Sequence, residues 1–183
     1  MRMTDIFEAS NHELCERYPY LLPRNVWTDK VPDDYDYSYT LVDHLPDGWR
    51  KLFLLMCEHI REPLVRAGCL DDFRFSQIKE KYGTLRAYHF GAPADVDSII
   101  RKYEHLSGFV CAKCGAPAQY ITTGYTLPYC GDCVDLVGEN YNSKGGSPES
   151  FEVYGVINGE NVKWSVDCHK EWEEYLAAIG ANQ

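Results

Sequence analysis

Two Cys-x-x-Cys pairs constrain the fold of this chain more than any other feature. Cys111-Ala112-Lys113-Cys114 and Cys130-Gly131-Asp132-Cys133 are separated by fifteen residues, a spacing typical of four-cysteine zinc sites. Two residues between thiolates let a tight turn direct both sulfurs toward one ion, and two such turns complete a tetrahedron with Zn–S bonds of about 2.3 Å. The sequence therefore predicts one bound Zn²⁺. The alternatives are four cysteines that only pack in the core, and iron in place of zinc.

The residues around the pairs predict the shape of the metal-binding segment. Residues 119–127 are typical of a small hairpin around Gly124, and a short helix from Val134 would carry the second pair in its first turn. Turn, hairpin and ligand-bearing helix follow one another in this order in treble-clef and zinc-ribbon modules. Because four thiolates close the coordination shell, we expect the zinc to be structural and not catalytic.

Hydrophobic periodicity and turn residues predict an α+β fold, with mixed helices and β-hairpins around the embedded four-cysteine module. Helices are predicted at 10–19, 49–67, 93–106 and 167–179, and β-hairpins at 73–90 and 151–166. The alternation of tyrosine with acidic and small residues over 33–43 predicts a strand with one negative face, and 142–148 is predicted to be a linker or loop. We expect an α+β core (1–106), the zinc module (107–141), and a C-terminal hairpin and helix (142–183) packed on the same body.

The formal net charge of −10 is concentrated toward the two ends of the chain. Most of such a surface repels a phosphate backbone and attracts a basic protein. The carboxylates either serve solubility alone or form a surface that docks on a cationic groove. The predicted partner-binding residues are Asp33, Asp34, Asp36, Tyr37, Tyr39, Glu171, Glu173 and Glu174.

The hairpin predicted at 73–90 carries a local basic strip consisting of Arg74, Lys79, Lys81 and Arg86. With the neighbouring aromatic residues, the strip is a candidate contact for nucleic acid through phosphate contacts and base stacking. The alternative is a solvated face that pairs with acidic segments of the same chain. We favour the alternative at this stage because the strip is short and the molecule is acidic.

The two termini contain a weaker candidate for a second metal site. His12 and Cys15 have a usable ligand spacing, and Cys168 is followed by His169. Nothing in the sequence brings the two ends together. The favoured interpretation is therefore a surface histidine, a buried Cys15 that packs as a small hydrophobe, and an exposed Cys-His pair.

The sequence lacks the motifs that mark common enzymes and membrane spans. It contains no P-loop, no dinucleotide-binding glycine motif, no His-Glu-x-x-His and no Gly-x-Ser-x-Gly. We therefore predict a protein that is not an enzyme, although a catalytic site built from scattered residues stays an alternative. No apolar run approaches the ~20 residues that cross a bilayer, and residues 1–5 lack the apolar stretch of a secretory signal. A cytoplasmic location is predicted.

The stretch from Gln77 to Tyr88, QIKEKYGTLRAY, resembles a widespread group of small bacterial and bacteriophage proteins. In this group a motif of the form QIKEKxGxLRxY precedes a cysteine module, and an upstream Pro-x-Gly-Trp, here Pro46 to Trp49, opens a helix. The resemblance covers roughly residues 18–135. Because the group is largely uncharacterised, it implies architecture more than activity, and residues 142–183 look like an addition to its pattern in which a specialised role would reside.

In size, charge and lack of catalytic motifs, the chain is also similar to phage and mobile-element proteins that inhibit bacterial defence nucleases, including CRISPR effectors. The predicted function is thus a zinc-stabilised acidic interaction protein. Its sharpest form is an anti-CRISPR-like inhibitor that binds the basic groove of a nucleic-acid-handling enzyme in the cytoplasm of a bacterial host. The alternatives are a nucleic-acid-binding zinc-ribbon protein that uses the basic strip, and an enzyme with an unrecognised site.

Overall fold

The computed structural model describes residues 2–25, 27–90 and 92–181. These residues form six α-helices and seven strands, together with three short 3₁₀ turns. The helices are α1 (Met3–Phe7), α2 (Asn11–Arg17), α3 (Arg50–Arg66), α4 (Ala94–Ser107), α5 (Gly131–Val134) and α6 (His169–Ile179). The strands are β1 (Arg74–Lys81), β2 (Thr84–Phe90), β3 (Tyr120–Thr122), β4 (Pro128–Tyr129), β5 (Tyr141–Ser143), β6 (Ser150–Ile157) and β7 (Glu160–Asp167).

The strands form three small antiparallel sheets: β1 with β2, β4–β3–β5, and β6 with β7. The turns of the two longer hairpins have the chemistry that two-residue connections require. Tyr82–Gly83 and Asn158–Gly159 all have positive φ, which matches a type I′ turn. The predicted α+β class and both hairpins are confirmed.

Helix α3 lies at the centre of the core because apolar side chains cover most of its circumference, including fully buried Leu52, Phe53 and Ile60. Helices α4 and α6 pack against it, and α4 also packs against β2. A single cluster of buried residues includes members of all three predicted segments. The predicted helices around α2, α3, α4 and α6 are confirmed, and the side chain of Ser10 caps α2 in a reciprocal bond with Glu13. Among the described helices, none has both the length and the apolarity needed to cross a bilayer.

The predicted acidic strand over 33–43 is wrong. Its first half forms turns and bends, and Leu41–His44 is a 3₁₀ turn. Side chains bond to the local backbone there instead of leaving it free for a ladder: the Asp36 carboxylate accepts from the Ser38 amide, and the Asp43 carboxylate accepts from the Thr40 amide. The tyrosine alternation therefore belongs to turn chemistry and not to a pleated strand.

Two further differences from the sequence predictions concern short segments. The first residues of the predicted 142–148 linker are wrongly assigned because β5 (Tyr141–Ser143) pairs with β3 and completes a three-stranded sheet. Helix α1, which was not predicted, has only five residues and one buried side chain, Ile6. Elements of this length carry too little periodicity to be recognised from a sequence alone.

Candidate metal centre and binding surfaces

The structure brings Cys111, Cys114, Cys130 and Cys133 together in one cluster. Their four Sγ atoms all lie within 4.8 Å of one another. The Sγ atoms of Cys114 and Cys130 are 3.6 Å apart, close to the edge of about 3.8 Å that a tetrahedron with Zn–S bonds of about 2.3 Å requires. Within the described part of the chain, this is the one group of such side chains that could hold a metal ion.

The electrostatics of the cluster also fit a cation. Burial opposes ionisation of Cys111, but the backbone amides of Cys130, Cys114 and Lys113 donate to its sulfur, and its pKa lies below the ordinary value. Burial raises the pKa of Cys130 and Cys133, whose sulfurs also contact neighbouring thiols. The Cys111 thiolate is therefore stabilised mainly by backbone donors, whereas the raised pKa values of Cys130 and Cys133 mean that these two thiols need a cation to lose their protons.

Short elements present the four sulfurs. Cys130 precedes α5 and Cys133 lies within it, while β3 and β4 join the two pairs. Gly115 has a φ of +82°, a conformation that closes the first knuckle (residues 110–115) behind Cys114. The predicted order of knuckle, hairpin and ligand-bearing helix is confirmed, but the predicted start of that helix at Val134 is wrong, because α5 is Gly131–Val134 and the chain turns after it.

The first knuckle is held by residues that sequence reasoning did not assign to the site. Three of its carbonyl oxygens accept hydrogen bonds from other elements: Ala112 from the Gly48 amide at 3.0 Å, Val110 from Trp49 Nε1 at 2.9 Å, and Gly115 from the Tyr175 hydroxyl at 2.5 Å. The available signal was the Pro-x-Gly-Trp motif, because a glycine beside a buried tryptophan indicates a close backbone approach. Nothing in the sequence pointed to Tyr175.

The candidate second metal site is not formed by the described residues. Cys15 and Cys168 are both buried, but among the described residues neither lies close enough to other ligand-type side chains to share a metal ion with them. The sulfur of Cys15 lies 3.9 Å from the Tyr35 hydroxyl, and His169 Nδ1 lies 3.8 Å from a Glu149 carboxylate oxygen. The prediction that Cys168 is exposed is wrong, because its side chain lies under α6 at the helix N-terminus.

Some of the predicted partner-binding residues form ion pairs within the protein, and the others are exposed. In the C-terminal helix, Glu171 is buried and pairs with Lys102 at 2.7 Å, and Glu174 lies 3.0 Å from His59 Nε2. These two carboxylates stabilise the packing of α6 and are not a free docking surface. The members that are exposed are Asp33, Asp34, Asp36, Tyr39 and Glu173, whereas Tyr37 is half-buried.

The loop that carries the exposed aspartates is held in place by its tyrosines. The hydroxyl of Tyr35 donates to the Tyr39 carbonyl oxygen at 2.5 Å. Tyr37 packs edge-on against His12 with ring centroids 4.5 Å apart, and its carbonyl oxygen accepts from Asn11 at 3.0 Å. Within the described residues, neither Asp33 nor Asp34 forms an ion pair.

Three members of the basic strip share the outer face of the β1–β2 hairpin. Lys79 lies directly opposite Arg86, and Lys81 lies opposite Thr84. Lys79 Nζ lies 5.4 Å from the ring centroid of Tyr88, and Lys81 Nζ lies 5.6 Å from that of Tyr82. We call Lys79, Lys81, Arg86 and these two tyrosines the basic face.

The basic strip forms no close ion pair with acidic segments of the same chain among the described residues, although Arg86 attracts the carboxylate of Glu104. In the part of the chain that the structure describes, none of the ion pairs within 4.0 Å includes Arg74, Lys79, Lys81 or Arg86. The interpretation favoured from the sequence, a solvated face that pairs with acidic segments of the same chain, is therefore not matched by any close ion pair among the described residues. Arg74 is separated from the other three by a β-bulge between Phe75 and Gln77.

A groove of about 590 Å³ runs between β2 and α4, next to the basic face. Its polar side chains are largely bonded to one another: Asp97 lies 3.5 Å from His89 Nε2 and 2.7 Å from Arg101 Nε, and Glu104 accepts from the Ala87 amide. Burial raises the pKa of Glu104. Tyr88 and the exposed ring of Phe90 form part of the wall.

Comparison of the chain with protein-family models, with curated proteins and with solved structures gave no match.

Proposed function

We propose that this chain is a non-enzymatic, zinc-stabilised binding protein whose basic face contacts single-stranded nucleic acid. The observation that carries the proposal is the cross-strand pair of Lys79 and Arg86, which lie directly opposite each other without a carboxylate within 4.0 Å among the described residues. Like charges at directly opposed positions destabilise a hairpin. A polyanion that binds across Lys79 and Arg86 would offset this repulsion, which gives a reason for the two like charges to lie opposite each other.

The aromatic side chains around the basic face suit a single strand. Tyr82 is 80% exposed and Phe90 73% exposed, and side chains of this kind form stacking platforms for unpaired bases. The remaining surface is acidic, since the whole chain carries a net charge of −10. We therefore expect a strand to follow the basic face and the adjacent groove, because the rest of the molecule repels it.

A charge-matched pair of variants tests this proposal. We expect the wild type to bind a fluorescent 20-nucleotide single strand at low salt, and Lys79→Gln/Arg86→Gln to bind about tenfold more weakly. The slope of log K against log salt should fall by about 0.7 for each lost phosphate contact. The control, Lys51→Gln/Lys170→Gln, removes the same charge from exposed positions elsewhere and should bind like the wild type. Equal losses in both variants would reject a contact specific to the basic face.

Zinc is the ion that best suits a closed set of four thiolates. In the proposed function it stabilises the fold and takes no part in chemistry. Cys111→Ser should weaken metal binding strongly and destabilise at least residues 107–141, because metal binding is coupled to folding. Metal analysis and thermal unfolding of this variant, beside the control Cys69→Ser outside the cluster, test the assignment. A Cys111→Ser protein with full zinc content and unchanged stability would contradict it.

A second candidate function is that of an acidic inhibitor, anti-CRISPR-like, which binds the basic groove of a nucleic-acid-handling enzyme. The observation in its favour is the ordered loop with Asp33, Asp34 and Asp36, because a fixed loop loses little entropy when it binds. Its expected partner is a basic protein, such as a CRISPR nuclease, in the cytoplasm of a bacterial host.

Capture of partners from nuclease-treated bacterial lysate, with purified CRISPR effectors alongside, distinguishes the two candidates. The inhibitor function predicts a stoichiometric basic protein that dissociates at high salt. This protein should be lost with Asp33→Asn/Asp34→Asn/Asp36→Asn and kept with Asp71→Asn/Asp72→Asn/Glu160→Gln, a matched set of exposed carboxylates. Recovery of nucleic acid alone, and only without nuclease, supports the first candidate.

A further inference from the structure

A second, smaller pocket of about 190 Å³ lies between residues 22–29 and the base of the β1–β2 hairpin. Two arginines, Arg24 and Arg74, line it together with apolar side chains from Tyr20, Leu22 and Phe75. Ser76 and Phe90 line both this pocket and the larger groove. The pocket therefore lies at the end of the surface proposed to bind a strand.

In both guanidinium groups the Nε–Nη2 side has no hydrogen-bond acceptor among the described residues. Among the described residues, each is hydrogen-bonded only through Nη1, and only to a backbone carbonyl oxygen: Arg24 to Asp29 at 2.6 Å and Arg74 to Phe73 at 2.7 Å. The Nε atoms of both are buried and have no acceptor within this part of the chain. The Nε and Nη2 hydrogens of one guanidinium form the fork that matches two oxygens of an oxyanion.

Unsatisfied donors of this kind are rare in proteins, because a buried donor without an acceptor loses its hydrogen bond to water and gains none in return, and the loss is larger for a charged group. Both arginines line one small pocket, and an acceptor bound between them would satisfy both. The side chain of Arg24 is 24% exposed and lines the pocket, so its guanidinium is largely desolvated, and its buried Nε meets a ligand only when the side chain shifts.

The local backbone holds both arginines in position. The Asn25 side chain accepts from the amides of Trp27 and Thr28, and this turn presents the Asp29 carbonyl oxygen that anchors Arg24. Arg74 lies next to the β-bulge between Phe75 and Gln77, and bulges commonly redirect a side chain at the edge of a functional site.

The charge balance of the pocket favours an anion. Asp29 is the one acidic residue among its lining residues, and its Oδ2 lies 3.7 Å from Arg24 Nη1. This carboxylate is 69% exposed and lies on the Nη1 side of the guanidinium, away from the Nε–Nη2 fork. Arg74 has no carboxylate partner within 4.0 Å among the described residues, so the lining carries an excess of positive charge.

We propose that this pocket binds a terminal phosphate monoester. Two forks offer four N–H donors, which suit the three terminal oxygens of a phosphate better than the two oxygens of a carboxylate. The buried Tyr20 and Phe75 close the base of the pocket, and its volume admits a phosphate with little more than a sugar. A chain end can enter such a pocket, whereas an internal stretch of strand cannot pass through it.

The phosphate can come from a free mononucleotide or from the 5′ end of a strand. The second source rests on the proposed function, since the strand would lie on the basic face and end beside Arg24 and Arg74. The binding of a phosphate group itself does not depend on it. The two sources are separated by the choice of probe.

The test combines two measurements on the full chain. In the first, inorganic phosphate and a 5′-mononucleotide are titrated into labelled protein, and the arginine Nε–H resonances are followed by NMR. We expect both probes, but not chloride, to shift the signals of Arg24 and Arg74. In the second, strands of one sequence with a 5′-phosphate and with a 5′-hydroxyl are compared, and we expect the phosphorylated strand to bind about tenfold more tightly.

The variant Arg24→Gln/Arg74→Gln should abolish the preference for the 5′-phosphate, whereas the control Arg2→Gln/Arg66→Gln, at exposed positions, should keep it. Shifts with phosphate or mononucleotide in a protein that binds neither strand would support the pocket and reject the proposed function. Strands that bind equally, together with resonances that no phosphate probe moves, would overturn the pocket and leave the proposed function standing.

Discussion

Gly48 lies against the first metal knuckle so closely that no side chain fits between them. A Cβ atom at this position would lie 2.0 Å from the Cys111 carbonyl oxygen, 2.7 Å from the Gly115 amide nitrogen and 2.8 Å from the Ala112 carbonyl carbon. All three are backbone atoms, so no side-chain rotation can relieve the overlap. If residue 48 carries a side chain, the knuckle and the turn just before α3 must move apart.

We therefore expect Gly48→Ala to destabilise the protein by at least about 2 kcal/mol, as overpacking of a rigid interior does, and to weaken metal binding at the same time. Chemical unfolding and metal analysis measure the two effects. Gly145→Ala is the matched control, because a Cβ there meets no atom within 4 Å. A Gly48→Ala protein with wild-type stability would show that Gly48 does not lie against the knuckle in the way described.

At the scale of elements, the sequence predicted those that depend on local signals. Helix α3 has a long apolar periodicity, and the β6–β7 turn has Asn158-Gly159, whose positive φ values only a few residue types accept. The spacing of the cysteines, also a local signal, predicted the cluster of four thiols. Each of these signals lies within about twenty residues of sequence.

The elements that sequence reasoning missed depend on distant partners. Strand β5 exists because β3 offers a free edge more than twenty residues earlier in the chain. The support of the first knuckle by Gly48, Trp49 and Tyr175 joins segments that are sixty or more residues apart. The packing of Glu171 on Lys102 belongs to the same class. The hydrophobic periodicity of a sequence carries no information about contacts between residues so far apart in the chain.

The docking of α6 on the first knuckle can be tested through a single hydroxyl. Tyr175 is fully buried, and its hydroxyl donates to the Gly115 carbonyl oxygen. Tyr175→Phe leaves this oxygen without its donor, so we expect a loss of about 1–2 kcal/mol in the free energy of unfolding and faster release of the metal to a chelator. Tyr154→Phe, at a site that is 70% exposed, should change neither quantity. Unchanged metal release in Tyr175→Phe would show that α6 does not support the metal centre.

At the scale of the whole molecule, two half-buried histidines make stability depend on pH. Burial lowers the pKa of His59 and of His105 from the ordinary value of 6.5. For His59 the attraction of Glu174 acts in the opposite direction but is smaller. The unfolded chain therefore binds protons near pH 6 that the folded protein does not. The free energy of unfolding is therefore full above about pH 7.5, one unit above the unfolded pKa, and falls as the pH is lowered through that pKa.

We expect this fall between pH 7.5 and 5.5, with a slope below about 1.4 kcal/mol per pH unit for each histidine, when zinc is kept in excess. His59→Gln/His105→Gln should flatten the profile, whereas His12→Gln, whose side chain is 54% exposed, should not. Chemical unfolding at each pH, with metal content measured in parallel, makes the comparison. A fall that follows only the loss of metal would contradict the assignment to the histidines.

The β6–β7 hairpin contributes few buried side chains to the core, so we expect the rest of the protein to fold without most of it. Tyr154 is 70% exposed and Val156 66% exposed, and an isolated two-stranded hairpin adds little stability. The Cys168 amide donates to the Glu149 carbonyl oxygen at 2.6 Å, so the two ends of the hairpin already meet and a short turn can close them. Phe151 stacks on His105 with ring centroids 4.8 Å apart, so a shortened variant should keep Phe151.

Replacement of residues 152–165 by Asn-Gly should therefore lower the melting temperature by less than about 5 °C and leave the metal content and the binding of single strands unchanged. A similar truncation of the β1–β2 hairpin, whose Ile78 and Leu85 are buried in the core, should prevent folding. Loss of cooperative unfolding in the first variant would show that β6 and β7 belong to the core. If the variant stays folded but loses a captured protein partner, the hairpin carries that partner's binding site, and the role predicted for the C-terminal addition lies there.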